Sequence, residues 1–193
     1  MYEYFNGKLA YKAPTHVVID VSGIGYYVHI SLYTFSQIKD QENCKLFISL
    51  QVREDSHTLY GFATEGEKKL FENLISVSGI GPNTGRMILS SNTPDEIQSA
   101  IVNGQVALIQ KIKGIGPKTA QRLILELQDK LKKQGFEALA SPIQSQSVPD
   151  EALSALVMLG FNKAAAEKVL NTILKTESNL SVEDMIKLAL KRL

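Results

Sequence analysis

Two segments of the chain place the same residue types at the same spacing: Leu74-Ile-Ser-Val-Ser-Gly-Ile-Gly-Pro-Asn-Thr84 and Ile109-Gln-Lys-Ile-Lys-Gly-Ile-Gly-Pro-Lys-Thr119. In each, an apolar run at helical spacing leads into Gly-Ile-Gly-Pro, and a second helical run follows. The chemistry this permits is anion binding by the main chain. Glycines at 79 and 81, and at 114 and 116, allow backbone angles that a Cβ disfavours and let a phosphate approach closely. Pro82 and Pro117 suit the first turn of the following helix, where a backbone N–H has no intrahelical partner in any case. The other N–H groups at that helix start face outward with the positive end of the dipole, and Lys118 adds a full charge to the second copy. The isoleucine between the glycines is placed to plug the gap between the two helices. The pair reads as a tandem helix-hairpin-helix, a device that grips nucleic-acid backbones without reading their sequence.

Other chemistry is sparse. His16, His29 and His57 stand apart in a strand-like region, with no Cys or acidic partner at metal-ligand spacing, so no metal site is expected. No Ser, His and Asp set suggests a nucleophile, and no catalytic residue is assigned. Gly116-Pro117-Lys118-Thr119 ends like a phosphate loop, but the required Gly-Lys-Ser/Thr adjacency is broken and the earlier glycine is misplaced. Nucleotide hydrolysis and a bound cofactor are therefore not expected. One acidic feature remains, in Gln51-Val-Arg-Glu-Asp-Ser-His-Thr-Leu-Tyr60, where strand-like pieces flank Arg53-Glu54-Asp55. Adjacent carboxylates at a hairpin tip are ordinarily solvated turn residues. Beside a DNA-gripping module they acquire a second use, since fixed negative charge repels phosphates and holds strands apart where they cross.

The elements that must position these groups follow from periodicity. Residues 1–63 read as β, with short segments at 4–11, 15–22, 26–33, 45–53 and 58–63 separated by turn material such as Ala13-Pro14 and Lys39-Asp-Gln-Glu-Asn43. Five short strands in that length suggest a small barrel, an OB-fold first among the options. A third Gly-Ile-Gly, at 23–25, lies between stretches alternating with period two and marks a bend between strands. Residues 64–134 are helical. Thr93-Pro-Asp-Glu96 forms a capping box for a helix joining the two hairpins, and Asn103-Gly104 ends it. The stretch 135–149, rich in Ser and Gln, reads as a flexible linker. Residues 150–193 carry three short amphipathic runs: Leu153, Leu156 and Val157; then Val169, Leu170, Ile173 and Leu174 after Asn162; then Met185 to Leu193 after Ser181 and Asp184. The fold class is α+β multidomain: a barrel, an all-α middle domain and a tethered three-helix bundle suited to docking.

Charge is distributed to match. The net charge is only +1, yet residues 64–134 hold ten Lys and Arg against seven Asp and Glu, a net +3, while the flanking parts are each net −1. A modest excess suits binding through backbone amides with a few basic contacts. A hydrophobic content of 44% excludes a disordered chain. No apolar run approaches a bilayer span, the start Met-Tyr-Glu-Tyr-Phe lacks signal-peptide character, and a single Cys44 permits no internal disulfide, so no membrane partner and a cytoplasmic location are expected.

The combination resembles the RuvA family, bacterial Holliday-junction-binding subunits of a branch-migration complex. The likeness runs through Gly23-Ile-Gly-Tyr26, Val52-Arg-Glu-Asp55, Leu59-Tyr-Gly-Phe62, Leu70-Phe71 with Leu74-Ile75, both hairpins, Thr119-Ala120 with Arg122-Leu-Ile124, and Leu159-Gly-Phe161. It implies an OB-fold, two helix-hairpin-helix motifs and a mobile UBA-like three-helix domain that contacts RuvB, a hexameric ATPase. It also implies a homotetramer, or an octamer of two stacked tetramers, holding a four-way DNA junction open, with the RuvC resolvase as a further partner. Glu54 and Asp55 match the acidic pin. Gly79, Ile80, Gly81, Gly114, Ile115, Gly116, Lys118 and Arg122 match the DNA-binding segments; Asn83, Thr84, Lys113 and Thr119 complete the candidate set, and Leu156, Leu159 and Phe161 are the expected partner-binding residues. Departures are Asn83, where many members have Lys, Pro117 at a frequently basic position, and Glu3-Tyr-Phe-Asn-Gly7 in place of a more basic start. Two other readings stand beside this one. A DNA-repair enzyme such as a glycosylase needs a pocket Asp or Lys after the hairpin, whereas Asp129 lies on a charged helix face; a generic interaction protein would use the C-terminal bundle alone.

Overall fold

The computed structural model describes residues 2–38, 42–140, 148–176 and 180–193, with backbone only at 134–140, 150, 175 and 176. Strands β1 (Tyr4–Ala13), β2 (His16–Val21), β3 (Ile24–Ile30), β4 (Asn43–Val52) and β5 (His57–Phe62) close into a barrel in the order β1-β2-β3-β5-β4. Strands β3 and β5 pair in parallel, with His29 opposite Tyr60, and the other four pairings are antiparallel. This is the expected OB-type barrel. Its interior is filled by the alternate residues Val17, Ile19, Val28, Ile30, Leu46 and Ile48, as period-two patterning requires. The third Gly-Ile-Gly is indeed a strand bend: Ser22 and Gly23 have φ of 54° and 88°, and the Gly23 N–H donates to Asp20 Oδ1 at 2.8 Å. Two central residues with positive φ match the twist of the strands they join.

One element departs from expectation. The strand expected to run to residue 33 stops at Ile30, and a short helix, α1 (Leu32–Gln37), follows. Ser31 caps it by accepting from the Thr34 N–H. Both hydroxyls also donate to Glu67, at 2.6 Å from Ser31 and 2.7 Å from Thr34, and the Ala63 N–H donates to the same carboxylate at 3.2 Å. The capping residue is therefore committed by a partner 36 positions away. The expected turn at 39–43 lies partly outside the described residues, at 39–41.

Helices α2 (Glu65–Ser76), α3 (Pro82–Ser91), α4 (Pro94–Val102), α5 (Val106–Gln110) and α6 (Pro117–Ala140) follow. The capping box at Thr93 and Glu96 is complete, and Thr64 caps α2. Phe71, Leu74, Ile88, Leu89, Ile97, Ile101, Ile109, Leu123 and Leu127 bury one core, which Tyr60 and Phe62 enter from β5. Barrel and hairpins consequently belong to one compact unit, residues 1–137. Helix α6 continues to Ala140, into the stretch expected as linker. Glu137-Ala-Leu-Ala140 are strong helix formers that extend an already nucleated helix past Gly135. Residues 141–147 lie outside the described residues, and α7 (Val148–Met158) begins with Pro149 in its first turn, where proline is tolerated.

The second unit, residues 138–193, is a three-helix bundle of α7, α8 (Lys163–Thr176) and α9 (Val182–Leu190). Ala152, Leu156, Ala166, Leu170, Ile173, Met185 and Ala189 form its core. Asn162 accepts from the Ala164 N–H at 3.0 Å, and Ser181 accepts from the Asp184 N–H at 3.1 Å, so both expected caps are in place. Among the described residues no helix is long and apolar enough to cross a membrane.

Candidate nucleic-acid interface

The two hairpins repeat each other hydrogen bond for hydrogen bond at an offset of 35 residues. Val77 N–H donates to Leu74 O at 3.2 Å, and Ile112 N–H to Ile109 O at 3.2 Å; Ile80 N–H donates to Val77 O at 3.0 Å, and Ile115 N–H to Ile112 O at 3.1 Å. The first bonds of the exiting helices, Gly85 N–H to Gly81 O at 2.9 Å and Ala120 N–H to Gly116 O at 3.0 Å, also match. Gly79 and Gly114 turn the chain with φ of 93° and 88°, a region that a side chain makes costly. Ile80 and Ile115 are only 4% and 6% exposed, so their side chains are the plugs of the hairpins and their N–H groups are already engaged. Of the expected DNA-binding residues these two shape the surface from within.

Gly81 and Gly116 have a different reason to be glycine. Gly81 has φ −86° and ψ 170°, angles open to any residue, and a Cβ built on either glycine meets nothing within 4 Å. The fold leaves open space there, directly at the start of α3 and of α6. No side chain caps α3, so the N–H groups of Asn83 and Thr84 precede its first intrahelical bond without a side-chain acceptor. By contrast α1, α2, α4, α8 and α9 all receive side-chain caps. Lys118 and Thr119 occupy the equivalent positions of α6. Each start offers converging donors and the positive end of a helix dipole, a geometry suited to a phosphate oxygen. The two hairpins also adjoin: Met87 Cε lies 3.2 Å from the place of a Gly114 Cβ.

Charge differs between the copies. Lys111, Lys113 and Lys118 are exposed around the second hairpin. Arg122 lies 3.7 Å from Glu126 one turn along α6, a solvent-screened pair that leaves its guanidinium accessible. At the first hairpin, Arg86 donates to Thr15 O at 3.0 Å in the β1–β2 turn, and Asn83 accepts from the Tyr60 hydroxyl at 3.3 Å. Neither contact was visible in the sequence, because each joins elements more than twenty residues apart. Burial pushes the Tyr60 phenol up, against the pull of Arg86 and Arg53.

The acidic residues sit where a hairpin tip was expected. Arg53 N–H donates to Ser56 O at 2.8 Å, closing a tight turn beyond the last ladder pair, Val52 with His57. Glu54 and Asp55 are both exposed at its tip. Asp55 accepts from the Ser56 hydroxyl at 3.2 Å, and no described cation lies within ion-pair distance of either carboxylate. The base of this hairpin and the start of α3 enclose a polar cleft of about 170 Å³ lined by Gln51, Arg53, Thr58, Tyr60, Pro82 and Asn83. The acidic hairpin and the first Gly-Ile-Gly hairpin thus face each other across this cleft, bridged by the Tyr60–Asn83 hydrogen bond.

In the bundle, the residues expected to meet a partner divide. Leu156 is wholly buried and Phe161 packs on the core, because α7 turns that side toward Met185 and Ala189. Leu156 supports the surface and does not form it. Leu159 is 62% exposed, and its neighbour Met158, absent from the sequence expectation, is more exposed still.

Comparison with known proteins accords with this anatomy. A family model described as the RuvA N-terminal domain matches residues 1–61, one described as a SAM-like helix-hairpin-helix tandem matches 71–129, and one described as the RuvA C-terminal domain matches 147–193. Among curated relatives, the proteins from Cytophaga hutchinsonii and Christiangramia forsetii are 52% and 51% identical, the first over 99% of both chains and the second over the full length of both. The Bacteroides thetaiotaomicron relative is 48% identical over the full length of both chains. Each of the three is named Holliday junction branch migration complex subunit RuvA. With matching domains in matching order and identity sustained from end to end, the chain belongs to the RuvA family.

Proposed function

We propose that this chain is the non-catalytic, junction-recognising subunit of a branch-migration complex, serving DNA recombination and repair. The observation that supports it most directly is the conjunction, in one compact unit, of two adjoining hairpins with open space over their second glycines and an exposed acidic turn. The hairpins supply backbone donors for phosphates of duplex arms, through Gly79, Gly81, Asn83 and Thr84 in the first copy and Lys113, Gly114, Gly116, Lys118, Thr119 and Arg122 in the second. Glu54 and Asp55 supply repulsion where strands exchange. Four-fold repetition in a homotetramer, or eight-fold in an octamer, would surround a crossover with hairpins and bring the pins together at its centre. Residues 1–63 then carry the pin, 64–134 the grip, and 150–193 the docking of a RuvB-type hexameric ATPase through Leu159 and Met158, while RuvC engages the same junction. The cytoplasm is the compartment in which these partners meet the chromosome.

Gel shifts at fixed salt test the reading. A four-way junction should bind at least tenfold tighter than linear duplex of equal length, and Glu54→Ala with Asp55→Ala should keep or tighten junction binding while altering arm geometry in a fluorescence-transfer assay. Equal affinity for junction and duplex would sink it.

A further inference from the structure

The outer face of the barrel carries a row of rings that neither the hairpins nor the pin uses. Tyr11 stacks on His16 at 5.3 Å between ring centres, His16 stacks on Tyr27 at 4.5 Å, Tyr27 meets His29 edge-on at 5.1 Å, and His29 meets Tyr60 at 5.6 Å. Tyr60 in turn reaches Asn83 at the start of α3. The row thus crosses β1, β2, β3 and β5 and ends at the first hairpin. Tyr11 is 54% exposed and Tyr27 50%.

Strand alternation explains part of this. Val17, Ile19, Val28 and Ile30 point inward, so His16, Tyr27 and His29 must point out. It does not explain Tyr11, which shares its parity with Leu9, a residue packed against the barrel core. The β1–β2 register slips between those two residues, Leu9 facing Ile19 and Tyr11 facing Val18. That bulge turns Tyr11 from the interior to the outer face and completes the row, a use for which bulges recur beside binding sites. A solvated sheet face is otherwise the place for small polar and charged side chains.

Charge selects the occupant. Arg86 donates to Thr15 O at 3.0 Å, next to His16, and Arg53 lines the same cleft as Tyr60. Asp20, on the same outward parity, is turned to the Gly23 N–H at the far hairpin. Half-exposed rings in a row, with Arg86 at the β1–β2 turn beside His16 and Arg53 in the cleft with Tyr60, match a strand of unpaired nucleotides, whose bases pack on the exposed tyrosines while its phosphates meet the arginines.

We infer that the Tyr11–His16–Tyr27–His29 ladder is a stacking surface for unpaired DNA bases, leading from the base of the acidic hairpin along the barrel. It is separate from the backbone grip of the hairpins and does not depend on the junction reading.

The test uses the full-length protein and a labelled oligothymidine, followed by fluorescence anisotropy at low salt. The parent should bind it. Tyr27→Leu and Tyr11→Leu should each weaken binding roughly tenfold, as loss of one stacked base does, with melting temperature close to the parent's, while Tyr27→Phe retains binding. A fully paired four-way junction, the hairpins' ligand, serves as control: Gly81→Ala with Gly116→Ala should lose the junction and keep the oligothymidine. A parent that ignores oligothymidine, or a Tyr27→Leu variant that binds it unchanged, overturns the inference. So does a Tyr27→Leu variant whose assembly size drops in light scattering, because the ladder's occupant is then a second copy of the chain.

Discussion

Replacing Gly81 by alanine separates folding from binding more cleanly than removing any charge. The native angles at Gly81, φ −86° and ψ 170°, are open to alanine, and the added Cβ meets nothing within 4 Å. Restricting the unfolded chain stabilises by about 0.4–1 kcal/mol. Gly81 is also the N-cap of α3, a position where alanine is disfavoured relative to glycine by roughly 0.5–1 kcal/mol. The two terms offset, so the melting temperature should move by no more than about 2 °C. Binding should respond differently. The methyl group occupies the space through which a phosphate reaches the Asn83 and Thr84 amides, and a hydrogen bond to a charged group contributes about 1.5–3 kcal/mol. Junction affinity should therefore fall at least tenfold.

Gly79 provides the contrast inside the same turn. Its φ of 93° makes alanine strained by about 1–2 kcal/mol whatever the surrounding space. Gly79→Ala should lower the melting temperature by about 3–8 °C. Calorimetry and a junction titration on the two variants, at one salt concentration, give the four numbers needed. If Gly81→Ala binds the junction as the parent does, the phosphate does not lie over the α3 amides and the account of the first hairpin is wrong. If it unfolds instead, the open space at that glycine has been misread.

Asn83→Lys should tighten junction binding at low salt and steepen the salt dependence by about 0.9 per new phosphate contact, at the expense of the Tyr60 bond, about 0.5–1.5 kcal/mol; an unchanged slope would place Asn83 away from phosphate. Glu67→Gln bears on pH. Burial raises the Glu67 pKa above its unfolded value despite the donors Ser31, Thr34 and Ala63, so in the pH window between the two values the folded protein binds a proton that the unfolded chain has released. Its contribution is therefore fully present below the ordinary glutamate range and is lost as pH rises through the folded pKa. Urea midpoints measured from about pH 4 to 8 should show a smaller fall with rising pH in Glu67→Gln than in the parent; equal slopes would remove Glu67 as the cause.

What could be read in advance was whatever repeats locally. The hairpins announce themselves because plug, turn and helix start all lie within eleven residues, and period-two runs marked all five strands. Helix α1 escaped because six residues hold too little periodicity, and its cap draws on Glu67, a residue on another element. The ladder escaped for a related reason. Tyr11 and Tyr27 look like ordinary strand residues until the bulge at Ala10 and the β1–β2–β3 register bring their rings to one face. Leu156 was misplaced because amphipathic spacing marks which residues share a helix side, not whether that side meets the bundle core or a partner.

The near-neutral net charge becomes intelligible once the donors are counted by type. At the first hairpin one Arg86 N–H is directed to Thr15 O in the β1–β2 turn and Asn83 is uncharged, which leaves backbone amides as the principal donors at the start of α3. The second hairpin adds Lys111, Lys113 and Lys118 to the same amide geometry. Amides and dipoles act at close range and in one direction, whereas a diffuse basic surface attracts any polyanion. A protein whose grip depends on amide geometry discriminates by the shape of the backbone offered to it, and adding general positive charge erodes that discrimination. Asn83→Lys should accordingly raise affinity for linear duplex by a larger factor than for a four-way junction, because the junction already satisfies the geometry and the duplex gains the new charge alone.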